Sequence, residues 1–120
     1  MTVKYIDVAQ EQVTAANVTI YTAPVAANFE SAHIIFGNCT NEDTVDTELT
    51  INLVQTGGAV AVTNRYLPPT TIFAGTPNSL TPIIGATLKS GDFINSIASL
   101  ASNLNLKITV KEIYTDTYWN

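Results

Sequence analysis

One cysteine, Cys39, and one histidine, His33, stand in 120 residues. A lone thiol excludes an intramolecular disulfide, and a lone imidazole leaves no set of soft ligands for zinc. Stability has to come from packing, and a chain of this length can bury roughly two thirds of the surface its unfolded form exposes. Cations are scarce too: five Lys and Arg face ten Asp and Glu, for a net charge of −5. Binding to a phosphate backbone depends on clustered cations, so nucleic acid is a poor partner. No apolar run approaches the roughly 20 residues of a membrane-spanning helix. The first ten residues set Lys4 and Asp7 among isolated apolar side chains, without the apolar core or cleavage site of a secretory signal. A soluble single domain with no membrane partner is expected. Only 12 % of residues are charged, and abundant Thr and Asn describe a surface of neutral hydroxyls and amides, suited to dry contact with other proteins.

What is present is strand signal. Residues 18–24, V-T-I-Y-T-A-P, alternate Val18, Ile20 and Thr22 against Thr19, Tyr21 and Ala23 until Pro24 removes a backbone donor. Residues 29–38 read as a central strand, with Ala32, Ile34 and Phe36 on one face and His33, Ile35 and Gly37 on the other. Residues 39–47 read as an acidic hairpin loop. Leu49, Ile51 and Leu53 then point inward and Thr50, Asn52 and Val54 outward. Gly57-Gly58 marks a turn into a hairpin partner over 60–66, which Pro68-Pro69 stops; 70–73 resumes at an edge, and 75–78 is a further turn. Residues 80–88 read as a strand ending in the turn Lys89-Ser90-Gly91-Asp92.

Residues 92–103 carry a conflict. Ile94, Ile97, Ala98 and Ala101 fall at helical spacing, yet a turn before and a strand after fit a hairpin, and a strand is expected. Leu104, Leu106, Ile108 and Val110 form the clearest inward stripe. Ile113 breaks its phase, which predicts a bulge near Lys111 and Glu112. The sum is an all-β chain of about seven or eight short strands, an antiparallel β-sandwich or jelly roll. Residues 1–16 form an edge strand or an arm, either a frayed end or a segment that pairs with a neighbouring subunit. Residues 17–114 form the sandwich, and 115–120 an aromatic tail.

Candidate chemistry is thin. A hydrolytic triad needs a base, and His33 sits in a predicted strand interior, where a structural role is expected. Cys39, six residues on in a loop without cations, reads as an inert thiol. Asn41, Glu42, Asp43, Asp46 and Glu48 lack the spacing of a calcium loop and read as solvated. Two glycosylation patterns, at Asn17 and Asn38, carry little meaning without a secretory signal. No catalytic, cofactor or metal site is expected. The aromatics of the two ends, Tyr5, Tyr114, Tyr118 and Trp119, are the candidate partner-interface residues, because large amphipathic side chains at a terminus call for something to cover them.

The opening V-T-I-Y-T-A-P, the strand ending in H-I-I-F-G-N at 33–38, the Gly-Gly turn and L-K-S-G-D-F-I at 88–94 resemble small β-sandwich virion proteins of tailed bacteriophages. The resemblance spans residues 18–113; the Pro68-Pro69 bend and the aromatic end depart from it. In proteins of this kind the Ser90-Gly91-Asp92 turn introduces a strand, which supports the strand reading of 92–103. The resemblance implies a virion structural protein made in the host cytoplasm. It would be a capsid decoration or cement protein, a trimer or another symmetric oligomer on the major capsid protein. A neck, collar, tail or fibre component is the runner-up. From another class comes a carbohydrate- or receptor-binding module, with Tyr21, Tyr66, Tyr118 and Trp119 stacking on sugars.

Overall fold

The computed structural model describes residues 1–10, 12–100 and 104–115. Among them are nine strands: β1 Thr2–Gln10, β2 Val18–Thr22, β3 Phe29–Asn41, β4 Thr47–Val54, β5 Arg65–Ile72, β6 Pro77–Ser79, β7 Thr87–Leu88, β8 Phe93–Ala98 and β9 Leu104–Tyr114. Short 3-10 turns occupy Val62–Asn64 and Thr81–Ile83. The strands pair antiparallel into two sheets. One runs β1-β9-β3-β6, with β7 also on β3, and the other runs β2-β8-β4-β5. Apart from β4 to β5 and β6 to β7, successive strands cross between the sheets, the interleaving of a jelly roll. The extra strands beyond the expected seven or eight are the very short β6 and β7.

The core lies between the sheets. Leu104, Leu106, Ile108 and Val110 of β9 meet Leu49 and Ile51 of β4 and Ile94 and Ala98 of β8. Alternation placed these residues, because one pleated face of each strand is covered by the opposite sheet. Leu53 is partly buried against the same core. In β8 the strand phase wins over the helical one: Ile94, Ser96 and Ala98 are buried, while Ile97 lies half-buried on the other face. Ala101 falls outside the described residues.

Several expectations need correction, and bulges explain most of them. In β3 the register against β9 slips between Phe29 and Ser31 and again between Ile34 and Phe36. The extra residue, Ile35, flips everything after it. Phe36 therefore faces out at 47 % exposure, while Cys39 and Asn41 turn into the buried interior. Cys39 is thus in a strand and not in a loop. Conversely, the bulge expected in β9 does not form, since β9 pairs with β1 at nine consecutive positions without a shift. The inward phase continues through Glu112 and Tyr114.

The expected stop at Pro68-Pro69 does not occur either. Leu49 pairs with Thr70 and Ile51 with Leu67, so the two prolines bulge opposite Thr50. An edge strand tolerates them because only one of its sides must donate, and β5 is an edge. Its pairing begins later than expected, at Arg65, because residues 55–64 fold back over Asn52, whose amide donates to the Ala61 carbonyl at 2.8 Å and to Asn64 Oδ1 at 2.6 Å. Asn52 points away from the core as expected, yet this loop buries it. Residues 80–88 begin with a 3-10 turn at Thr81–Ile83, Ile83 being fully buried, and only Thr87–Leu88 is strand.

The Lys89-Ser90-Gly91-Asp92 turn forms as expected, with Asp92 N–H donating to the Lys89 carbonyl at 3.0 Å. Gly91 has φ +81°, and a Cβ there would lie 2.2 Å from Thr56 Oγ1. That hydroxyl is itself engaged, donating to the Ser90 carbonyl at 2.9 Å. Gly75 has φ +73° with nothing within 4 Å of the added atom. Gly91→Ala is expected to cost about 1–3 kcal/mol of backbone strain plus the displacement of Thr56, and Gly75→Ala the strain alone. Urea melts of the pair check the order: equal losses would mean that the contact with Thr56 carries no weight.

Candidate functional site

The outer face of the larger sheet is where the exposed chemistry collects. Residues opposite each other across antiparallel strands share a face. Tyr5 lies opposite Lys111, Lys111 opposite His33, and His33 opposite Thr87, a row across four strands. The next row sets Asp7 opposite Thr109 and Thr109 opposite Phe36; Thr109 Oγ1 donates to Asp7 Oδ1 at 3.1 Å. A third sets Ala9 opposite Lys107 and Lys107 opposite Asn38. Beside these rows a groove of about 670 Å³ is lined by Phe36, Asn38, Thr40, Asn105 and Lys107 together with Gln10. Two of the chain's five cations thus sit on a face that also exposes Tyr5, Ile35 and Phe36.

The sequence candidates fall in different places. Tyr5 is 63 % exposed on β1. Tyr114 is 9 % exposed and closes β9 with its ring edge-on to Phe29, centroids 5.5 Å apart. Lys4 Nζ sits 4.9 Å over the Tyr114 ring, an attraction between cation and ring quadrupole. Tyr114 therefore packs within its own chain and not in a tail. Tyr118 and Trp119 lie outside the described residues. Thr115 is tied back, its N–H donating to the Asn28 carbonyl at 2.7 Å and its hydroxyl to Glu30 at 2.8 Å.

His33 holds two hydroxyls, Ser31 Oγ at 3.0 Å from Nε2 and Thr87 Oγ1 at 3.0 Å from Nδ1. This resembles a serine–histidine pair, but the orienting group is a hydroxyl, which lacks the charge that stabilises an imidazolium. Burial pushes the Cys39 thiol up to about 12, away from the reactive thiolate. In the acidic loop the side-chain oxygens are used locally. Asn41 Oδ1 accepts from Asp43 N–H at 2.9 Å, Asp43 Oδ1 from Thr44 N–H at 2.7 Å, and Asp46 Oδ1 from Ala74 N–H at 2.8 Å. Among the described residues no three His, Cys, Asp or Glu converge to hold a metal. No helix among them is long and apolar enough to cross a membrane.

One polar group escaped the sequence reading. Glu112 is 4 % exposed in the sandwich interior. It accepts from Tyr21 Oη at 2.5 Å and from Tyr114 Oη at 2.7 Å, so the Tyr21 bond ties β2 of one sheet to β9 of the other. Burial, and then the bond to the Glu112 carboxylate, raise both phenols: Tyr114 to about 12, and Tyr21 well above the ordinary range. Its inward position follows the alternation of Leu104 to Val110, which Glu112 and Tyr114 continue, but its partner Tyr21 has no local signal. Tyr21, counted above among sugar-stacking aromatics, points inward.

The architecture defines a two-sheet antiparallel β-sandwich of the jelly-roll kind. No family model matches the chain, and no curated protein sequence matches it. Among solved structures it is similar to a Bacillus endospore-appendage protein, described as belonging to a novel family of disulfide-linked pili. The TM-score is 0.54 at 13 % identity, over 96 % of this chain and 88 % of that one. It is also similar to a protein of the infectious bursal disease virus Gx strain, with a TM-score of 0.52 at 14 % identity, over 98 % of this chain. There it spans only 33 % of the longer chain. At these identities the likeness is one of fold.

Proposed function

We propose that the protein is a structural subunit of a virion, and within that role a capsid decoration protein that binds the outer surface of the head as a symmetric oligomer. The observation that carries this reading is the shared jelly-roll fold. Two of the solved structures it resembles come from a pilus and a virus. The disulfide linkage named for the pilus family has no counterpart here, because the one thiol is fully buried. Subunits would associate through surface contact alone. The outer face of the larger sheet, with Tyr5 and Phe36, is the surface offered, and Tyr118 and Trp119 would add to it.

The sugar-binding alternative is disfavoured by the placement of its aromatics. Tyr21 is buried, and the groove beside Tyr66 is lined otherwise by Leu53, Val54, Thr63 and Asn64 and their neighbours, without a second aromatic. Gold labelling of intact particles with an antibody to this protein tests the proposal. Label over the head exterior is the expected result. Label on a neck, tail or fibre selects that location instead, and particles free of label overturn the virion reading.

A further inference from the structure

Sheet edges are where β proteins meet one another, and most carry a device that prevents it. Three of the four edges here are so equipped. β5 holds Pro68-Pro69 in a bulge, β2 is bulged between Thr19 and Tyr21 and followed by Pro24, and β6 is three residues long and begins at Pro77. β1 has no proline, bulge or truncation, and its only charges, Lys4 and Asp7, are of opposite sign. It is nine residues long, contains no proline, and pairs with β9 without a register shift. No strand among the described residues pairs with its other edge.

The geometry points to a second copy of this chain as the occupant of that edge, with β1 paired antiparallel to β1 about a two-fold axis at Ile6. The axis keeps each sheet face continuous, so residues pair only with partners of like parity. Thr2–Gln10 is centred on Ile6, so the register with Ile6 opposite Ile6 uses the whole strand. It places Tyr5 opposite Asp7, Lys4 opposite Val8 and Val3 opposite Ala9, with no like charges facing. A shift that centres the pairing on Asp7 sets carboxylate against carboxylate, and one centred on Lys4 sets ammonium against ammonium. Centring on Tyr5 faces Val3 with Asp7 and loses two pairs. Of the registers in which no like charges face, the one centred on Ile6 pairs the most residues. Tyr5 and Asp7 are both exposed, and across the axis the phenol reaches the partner's carboxylate twice. The two larger sheets would then join into one. This contact is independent of the virion reading, since it concerns the isolated protein in solution.

The test is a charge exchange on the exposed face, read by sedimentation equilibrium of the full chain with circular dichroism as the check on folding. The wild type is expected to dimerise reversibly. Tyr5→Glu puts a carboxylate opposite Asp7 at two symmetric places and should weaken the dimer at least tenfold. Combining Tyr5→Glu with Asp7→Lys restores opposite charges and should recover most of the affinity. Because both positions are exposed, the variants should stay folded; Tyr5→Gln, without added charge, serves as a second probe and should weaken the dimer less than Tyr5→Glu. A wild type that stays monomeric at millimolar concentration overturns the inference. So does a dimer indifferent to Tyr5→Glu, or a double variant no tighter than the single one.

Discussion

Ile108→Ala should lower the stability of the isolated domain by about 2–5 kcal/mol, the range for removing a buried aliphatic side chain and leaving part of its volume empty. Ile108 is 1 % exposed, in the middle of β9, with Val8 of β1 and Gly37 of β3 as its cross-strand neighbours. Gly37 has no side chain to swing into the vacated space. An added Cβ at Gly37 would already lie 3.1 Å from Leu80 and Ile83, so the room there is occupied. Poor relaxation puts the expected loss in the upper half of the range. Ile108→Val should cost only about 0.5–1.5 kcal/mol, and Lys107→Ala, on the exposed face, less than about 0.5 kcal/mol. Urea unfolding with an unchanged slope measures all three. A loss below about 1 kcal/mol for Ile108→Ala contradicts its place in the core.

Tyr21→Phe and Tyr114→Phe should each cost about 1.5–3 kcal/mol, because each removes a hydrogen bond to a charged acceptor that water cannot replace. The two donors share one carboxylate, so the double variant should depart from additivity by about 0.5–3 kcal/mol. An additive double-mutant cycle would mean that they act separately. The pair also sets a response to alkali. In the unfolded chain a tyrosine ionises near 10; in the folded protein Tyr114 does so only near 12 and Tyr21 beyond that. The folded state thus holds these protons more tightly. The stability it gains is fully present below pH 10 and is lost as pH rises from 10 through 12. Thermal melts between pH 8 and 12 should show this decline, and the double phenylalanine variant should show less of it.

The parts of the fold legible in the sequence were those governed by uninterrupted alternation. Leu104 to Val110, Leu49 and Ile51 lie on strands whose inward face is set by a period of two, and the all-β class followed from them. What the sequence hid were the places where one added residue changes the phase. Ile35 is a β-branched residue like Ile34 before it, and nothing local marks it as the bulge that turns Phe36 outward and Cys39 inward. Glu112 was hidden for the opposite reason: the phase held, but a carboxylate at an inward position is unreadable without Tyr21, which lies 91 positions away. The prolines of β5 misled because their meaning depends on whether a strand is at an edge, which is a property of the whole sheet. Of the surface residues, Tyr5 was legible as exposed on an edge strand, whereas the rows joining it to Lys111 and His33 needed the strand order.

That strand order also fixes the sequence of events when the chain is made. The middle of the larger sheet is β9, which the ribosome delivers after every other strand. Until it arrives, β1 and β3 have no shared partner: β1 waits with unpaired backbone on both flanks, and β3 has only the short β6 and β7 on one of its own. The smaller sheet is under a like constraint, since β8, which joins β2 to β4, comes next to last, and only β4 and β5 can pair before it. A nascent chain can therefore pair β4 with β5 early and must hold both walls open until β8 and β9 arrive. Closure by non-local pairings of this kind is slow and leaves apolar faces uncovered while it proceeds. Chains halted before Leu104 should for this reason be aggregation-prone in a way that the finished protein is not.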